Sequence, residues 1–208
     1  DFIVVPIPSS DDFAPFFDRR VVVFGVQVVG TATLPESKLI HAAKVMAEYL
    51  DNDEDGFGDD PSVINAMLDA NAVLVMAQTP DELENSGLFE SPLLFRYGGQ
   101  DLYGEETNEP GRFDATLEEV LHLISNYGYR TVYPQAFGTE PGTLLTDAMD
   151  VARGGRFLIV PDEYPSDAWY TYDDRSCDYE CMATEYLYWA LTSILGAQVS
   201  QARCAEIN

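Results

Sequence analysis

The chain has 208 residues, of which 46% are hydrophobic, enough to fill the core of one domain of ordinary size without disulfides. Its 36 acidic residues against 11 basic ones give a net charge of −25, which repels phosphate backbones and anionic bilayers and excludes nucleic acid and membrane as partners. Divalent cations are the natural partners of such a surface.

In chain order, residues 1–20 are rich in Pro and Asp and read as an extended N-terminal arm. The β-branched run from Arg20 to Val29 predicts one strand. Gly25 and Gln27 interrupt it well short of the roughly 18 apolar residues of a membrane span. Pro35, Glu36 and Ser37 open a helix in which Leu39, Ile40, Ala43, Met46, Ala47 and Leu50 recur at helical spacing. An acidic loop follows from Asp51 to Asp60, and Pro61 starts a second helix with the stripe Val63, Met67, Ala70, Val73 and Leu74. Residues 37–79 therefore read as helix, loop, helix.

Residues 80–113 are irregular, with a short strand expected at Leu93 to Arg96. Asp114, followed by Glu118 and Glu119 in a first turn, predicts a helix that ends with Gly128 at the C′ position. A short helix is expected from Thr143 to Arg153. A final one runs from Tyr179 to Gly196, with Met182, Leu187, Ala190, Leu191 and Ile194 inward. With no internal repeat and no linker, residues 1–208 read as a single α+β domain, helix-dominated with a small sheet.

The three cysteines, Cys177, Cys181 and Cys204, cluster near the C-terminal end. A disulfide between two of them is expected, in which a link from Cys204 in the tail to Cys177 or Cys181 would pin the C-terminus onto the last helix; the third would be a buried thiol or an interchain bridge, consistent with a homo-oligomer. Asp1 reads as a processed or trimmed terminus. Export is inferred from elsewhere: the cysteines, a calcium loop and an acidic surface agree with a secreted, extracellular protein.

Ca²⁺ takes six to eight hard oxygen ligands, and loops that wrap it carry carboxylates at positions 1, 3 and 5, Gly at 6, a backbone carbonyl at 7 and an oxygen ligand at 9. Asp51, Asp53, Asp55, Gly56, Phe57 and Asp59 follow that order. Position 12 is Ser62, where an EF-hand has a bidentate Glu. The stretch is therefore EF-hand-like but resembles the broader DxDxDG calcium loops, and it reads as a structural staple with no sensor's lever. A merely solvated acidic turn is the plainer alternative.

The second constellation is Glu118-Glu119-Val120-Leu121-His122, in which Glu118 and His122 are four residues apart and share a helix face. It resembles the H-E-x-x-H helix of zincin metalloproteases of the gluzincin type, with the first His replaced by Glu. The resemblance implies a zincin-like fold and a metal-dependent hydrolase of metallopeptidase type, or an inactive descendant. It also implies Glu118 and His122 as ligands of Zn²⁺ or another first-row transition metal, with Glu119 as the catalytic group acting on the metal-bound water. A third ligand would come from a following helix, for which Glu185 is the candidate. A Glu, His, Glu set is harder and more anionic than that of a zinc protease, which lowers Lewis acidity and impairs hydrolysis.

Glu119 and His122 also have the spacing of a carboxylate-bridged di-iron site, with Glu48 and Glu185 as further carboxylates, but Tyr188 stands where the second His is required. His41, the other histidine, is a candidate to complete either set. An acidic first helical turn with a hydrogen-bonded His122 needs no metal at all. The aromatic crowding of Trp169, Tyr170, Tyr172, Tyr179, Tyr186, Tyr188 and Trp189 fits core and rim, or a pocket for a small aromatic ligand or pigment. Three functions thus compete: a hydrolase acting on peptide, a non-enzymatic ligand binder, and a calcium-stabilised structural or matrix protein.

Overall fold

A computed structural model describes residues 2–200 and residue 203. The chain is α+β, with a five-stranded mixed sheet, and it divides into two compact units, Asp1–Gly128 and Tyr129–Asn208. Among the described residues no helix is long and apolar enough to cross a membrane.

The first unit holds the sheet, in the order β1 (Val5–Pro6), β2 (Arg19–Val23), β3 (Val26–Gly30), β4 (Val73–Ala77), β5 (Gly99–Tyr103). The run expected as one strand is an antiparallel hairpin, β2 to β3. Phe24 and Gly25 turn it at φ 48° and 93°, the left-handed pair that a tight hairpin demands. β4 runs parallel to both β3 and β5. Its five residues are all buried, which corrects the assignment of Val73 and Leu74 to a helical stripe. The second helix, α2 (Pro61–Asp69), stops before them, and Asn71 at φ 49° turns the chain. A short apolar run buried on both faces shows no period that separates strand from helix.

α1 (Glu36–Leu50) packs on β2 and β3 through Leu39, Ala42, Ala43, Met46 and Leu50. A cluster that includes Val29, Val73, Val75 and Leu93 also takes in Phe13 and Phe17, each 2% exposed. Residues 1–20 are therefore more than an extended arm: they pair as β1 with β2 and bury two aromatic rings. After α3 (Pro80–Glu84), the strand expected at Leu93 to Arg96 is instead a 3-10 turn, Pro92–Phe95, capped by the Ser91 side chain. The strand of this region is β5, whose Gly-Gln-Asp start carries no strand propensity. α4 (Thr116–Ile124) packs on β5 and α1 and runs on into a π-helical turn, Ser125–Tyr129. Gly128 is inside that turn and not a helix stop. A Cβ there would come 2.6 Å from Val63 Cγ1, so the position needs glycine for close approach.

The second unit comprises the short α5 (Arg130–Val132) and α6 (Pro134–Phe137), then α7 (Leu144–Ala152) and α8 (Tyr179–Ile194). α7 and α8 pack through Leu145, Met149, Met182 and Ala183, with Val160, Cys177 and Tyr179 in the same cluster. Of the α8 residues expected inward, Met182 is buried, whereas Ile194 is 81% exposed and Tyr188 and Thr192 take inner positions. The disulfide joins Cys177 and Cys181 at the start of α8; Cys204 lies outside the described residues.

Candidate functional site

The loop after α1 is organised by its own carboxylates. Asp51 caps the helix, its N–H donating to the Ala47 carbonyl at 2.8 Å. Its side chain, only 8% of the residue being exposed, accepts from the amides of Asp55 at 3.1 Å and Gly56 at 2.9 Å. Asp53 Oδ1 also accepts from Asp55 N–H, at 3.3 Å, and Asp59 Oδ2 accepts from Asn52 N–H at 2.9 Å. Gly56 takes φ 88°, a left-handed turn natural to glycine. Oxygens of Asp51, Asp53 and Asp59 lie within 4.8 Å of one another. Asp55 is turned to the Phe57 amide at 2.8 Å, and Phe57 is 77% exposed.

Asp60 then caps α2, accepting from the amides of Ser62 at 2.9 Å and Val63 at 3.3 Å. Where an EF-hand closes its loop with Glu, this loop closes on a helix cap. An Asp before a helical Pro is a capping signal that the sequence itself carries.

α4 presents the second constellation. His122 is 6% exposed and Glu118 is half-buried. The ring Nδ1 of His122 lies 3.5 Å from Glu119 Oε2, and that same oxygen accepts from Gln100 Nε2 at 2.6 Å. Gln100, on β5, thus anchors Glu119; no motif in the sequence marks it. Glu106 adds a further carboxyl. Burial, the largest influence, raises its pKa, and the charges of Glu119, Asp101 and Glu105 do the same against one hydrogen bond from the Tyr103 N–H.

The entry to α4 is fixed by Asp114. Its Oδ1 accepts from the amides of Asn108 at 2.9 Å and Thr116 at 3.2 Å, and its Oδ2 pairs with His41 Nε2 at 2.6 Å. His41 therefore ties α1 to the start of α4, and its hydrogen-bond partner is a carboxylate. Glu48, the carboxylate considered for a di-iron site, is exposed on α1.

Burial of Asp114 would raise its pKa, yet hydrogen bonds from Thr116, Asn108 and His41, with the His41 charge, together hold it below the usual value. A carboxyl more acidic in the folded state contributes stability that is complete above its unfolded pKa of about 3.9 and is lost as pH falls through the lower folded pKa. Asp114→Asn is accordingly expected to cost about 1 to 2 kcal/mol at neutral pH and to flatten the acid limb of the stability curve. Urea melts at neutral and acid pH that coincide for variant and wild type would refute this clasp.

Glu185 belongs to the second unit, half-buried on α8. Within that unit the Tyr170 hydroxyl is made less acidic by burial first and by the charge of Glu185 next. Tyr188 is buried completely. The aromatic crowd resolves into pairs, Tyr170 against Tyr186 and Tyr188 against Trp189, at ring centroid distances of 5.2 and 5.3 Å.

The chain matches no protein-family profile, and no curated protein or solved structure matches it.

Proposed function

We propose that this is a secreted calcium-binding protein that also carries a transition-metal centre of the zincin-like, gluzincin type, as a metal-dependent hydrolase or the descendant of one. The observation that carries the reading is the approach of the Asp51, Asp53 and Asp59 oxygens to within 4.8 Å of one another. Like charges so close repel, and a hard cation coordinated by several oxygens relieves that repulsion while stabilising the fold by linkage. The disulfide supports an oxidising compartment.

For the second centre, the support is the donor chemistry of Glu118, His122 and Glu185, a carboxylate, imidazole, carboxylate set suited to Zn²⁺ or a harder first-row ion. Glu118 and His122 share a face of α4, and Glu185 would supply the third ligand from α8. An ion bound there contributes Lewis acidity and lowers the pKa of its water. Glu119, held at Oε2 by Gln100, would use its other oxygen to accept a proton from that water.

Elemental analysis of native protein tests both parts. Calcium and one first-row metal are expected in stoichiometric amounts, with His122→Ala losing only the transition metal. Glu119→Gln should keep the metal and lose about 100-fold or more of any chelator-sensitive peptide hydrolysis, the usual contribution of a general base. Calcium without a transition metal would remove the hydrolase and leave a calcium-stabilised structural protein. An extractable, light-absorbing organic molecule would instead favour the ligand binder.

A further inference from the structure

In a chain with 36 acidic residues against 11 Lys and Arg, carboxylates compete for every cation, and a cation left without one asks for a reason. Among the described residues every Lys and Arg side chain but one donates to an oxygen of the protein, from Arg20 on Asp11 at 2.7 Å to Arg203 on Gln198 at 2.8 Å. The exception is Lys44, exposed on α1, whose ammonium has neither an ion pair nor a hydrogen bond among those residues. Glu48, one turn further along the same face, is exposed as well, and its carboxylate is equally uncommitted among them. Lys ahead of Glu at this spacing is the weaker order for a pair on a helix, so little free energy holds the two together.

Both side chains line a cavity of about 450 Å³ between α1 and the first turn of α4, a volume that suits a small ligand. Val45, Tyr49 and Leu117, each half-buried, give the same cavity an apolar wall. The Tyr49 hydroxyl donates to the Leu117 carbonyl at 3.0 Å and ties the two helices together there. His41, also on the wall, is committed to Asp114. Leu117 lies about 100° and 140° round α4 from Glu118 and His122, and no residue of the wall is a ligand in either ion site proposed above.

We propose that this groove binds a small zwitterion with an apolar side chain, a free α-amino acid of the size of leucine. Lys44 takes its carboxylate, Glu48 its ammonium, and Val45, Tyr49 and Leu117 its apolar body. Two uncommitted charges of opposite sign, one helical turn apart, match a ligand that carries both, and each contact is a charge-assisted hydrogen bond. The net charge of −25 narrows the choice further. A plain anion is repelled by the whole chain and a plain cation is drawn to acidic groups all over it, whereas a zwitterion feels neither and is selected by the groove alone. The groove lies within the first unit, and the inference requires no ion in either proposed site.

The test titrates leucine, glycine, 3-methylbutylamine and 4-methylpentanoate into the nitrogen-15-labelled full chain, in chelator so that an amino acid cannot report by ligating an ion. Leucine is expected to shift the amides of residues 44–52 saturably. The amine lacks the carboxylate and the acid lacks the ammonium, and each should bind about tenfold more weakly or worse. Glycine, without the apolar body, should also bind more weakly. Lys44→Gln and Glu48→Gln, both at exposed positions, should weaken leucine by a similar factor without changing the melting temperature. No saturable shift with leucine, an unchanged leucine affinity in either variant, or largest shifts at residues 118–122 would overturn the site. Equal binding of the amine or the acid would overturn recognition of both charges, and equal binding of glycine would overturn the part given to the apolar wall.

Discussion

Asp150→Ala should be among the most damaging single changes in the second unit, costing about 3 to 5 kcal/mol. Arg153 is completely buried, and its Nη2 donates to Asp150 at 2.8 Å. Without that carboxylate the guanidinium keeps a contact to Met182 sulfur at 3.1 Å and the ring faces of Phe157 and Tyr179 at 5.8 and 5.5 Å. Aromatic faces contribute about 0.5 to 2 kcal/mol each to holding a cation, too little to replace an ion pair away from water. Arg153→Met should do less harm, because Asp150 would still accept from Arg156 at 2.7 Å and from the Tyr179 hydroxyl at 2.9 Å. Urea unfolding checks the order of the two variants. A loss below about 1 kcal/mol for Asp150→Ala would show that the buried cation does not depend on its partner.

Asp51→Ala is expected to abolish the thermal shift on adding calcium and to weaken the calcium-free protein as well. Two effects combine. The side chain accepts the amides of Asp55 and Gly56, and leaving such donors without an acceptor costs about 1 to 3 kcal/mol. Ion binding adds about 2.7 kcal/mol at a calcium concentration 100 times the dissociation constant, and that contribution would vanish with the ligand. Asp55→Ala should be milder, since its Oδ1 is occupied by Phe57 N–H at 2.8 Å and its carboxylate is not in the group with Asp51, Asp53 and Asp59. Calorimetry and melting curves in calcium and in chelator separate the two. A full calcium shift in Asp51→Ala would remove the loop from consideration as an ion site.

Much of the candidate chemistry was legible because it is local. The order of Asp51, Asp53, Gly56 and Asp59 needs only a few consecutive dihedral choices to bring oxygens together, and a left-handed Gly56 is the choice glycine makes easily. Glu118 and His122 share a face once the segment is helical, whatever surrounds it. The bridge between Cys177 and Cys181 is also a local closure over four positions, but spacing left three pairings open and did not select it over a link to Cys204.

Other features depended on distant parts of the chain. Val73 to Ala77 carries the same apolar signal for a helix as for a strand; pairing with β3 on one side and β5 on the other made it the buried centre of the sheet. Gln100 and Glu119 meet across nineteen positions, and His41 and Asp114 across seventy-three, and no spacing rule anticipates either pair.

The sequence by itself determined the acidic surface, the helix boundaries at Pro35 and Pro61, the alternation of ligands in the loop and the shared face of α4, because each follows from composition or from dihedral periodicity within a few residues. Only the tertiary structure decided which apolar run became a central strand, that Phe13 and Phe17 joined the core, and that Gln100 and His41 brace the two ends of the Glu119 helix turn. Those outcomes depend on long-range burial and pairing, where the free energy belongs to the contact and not to either residue alone.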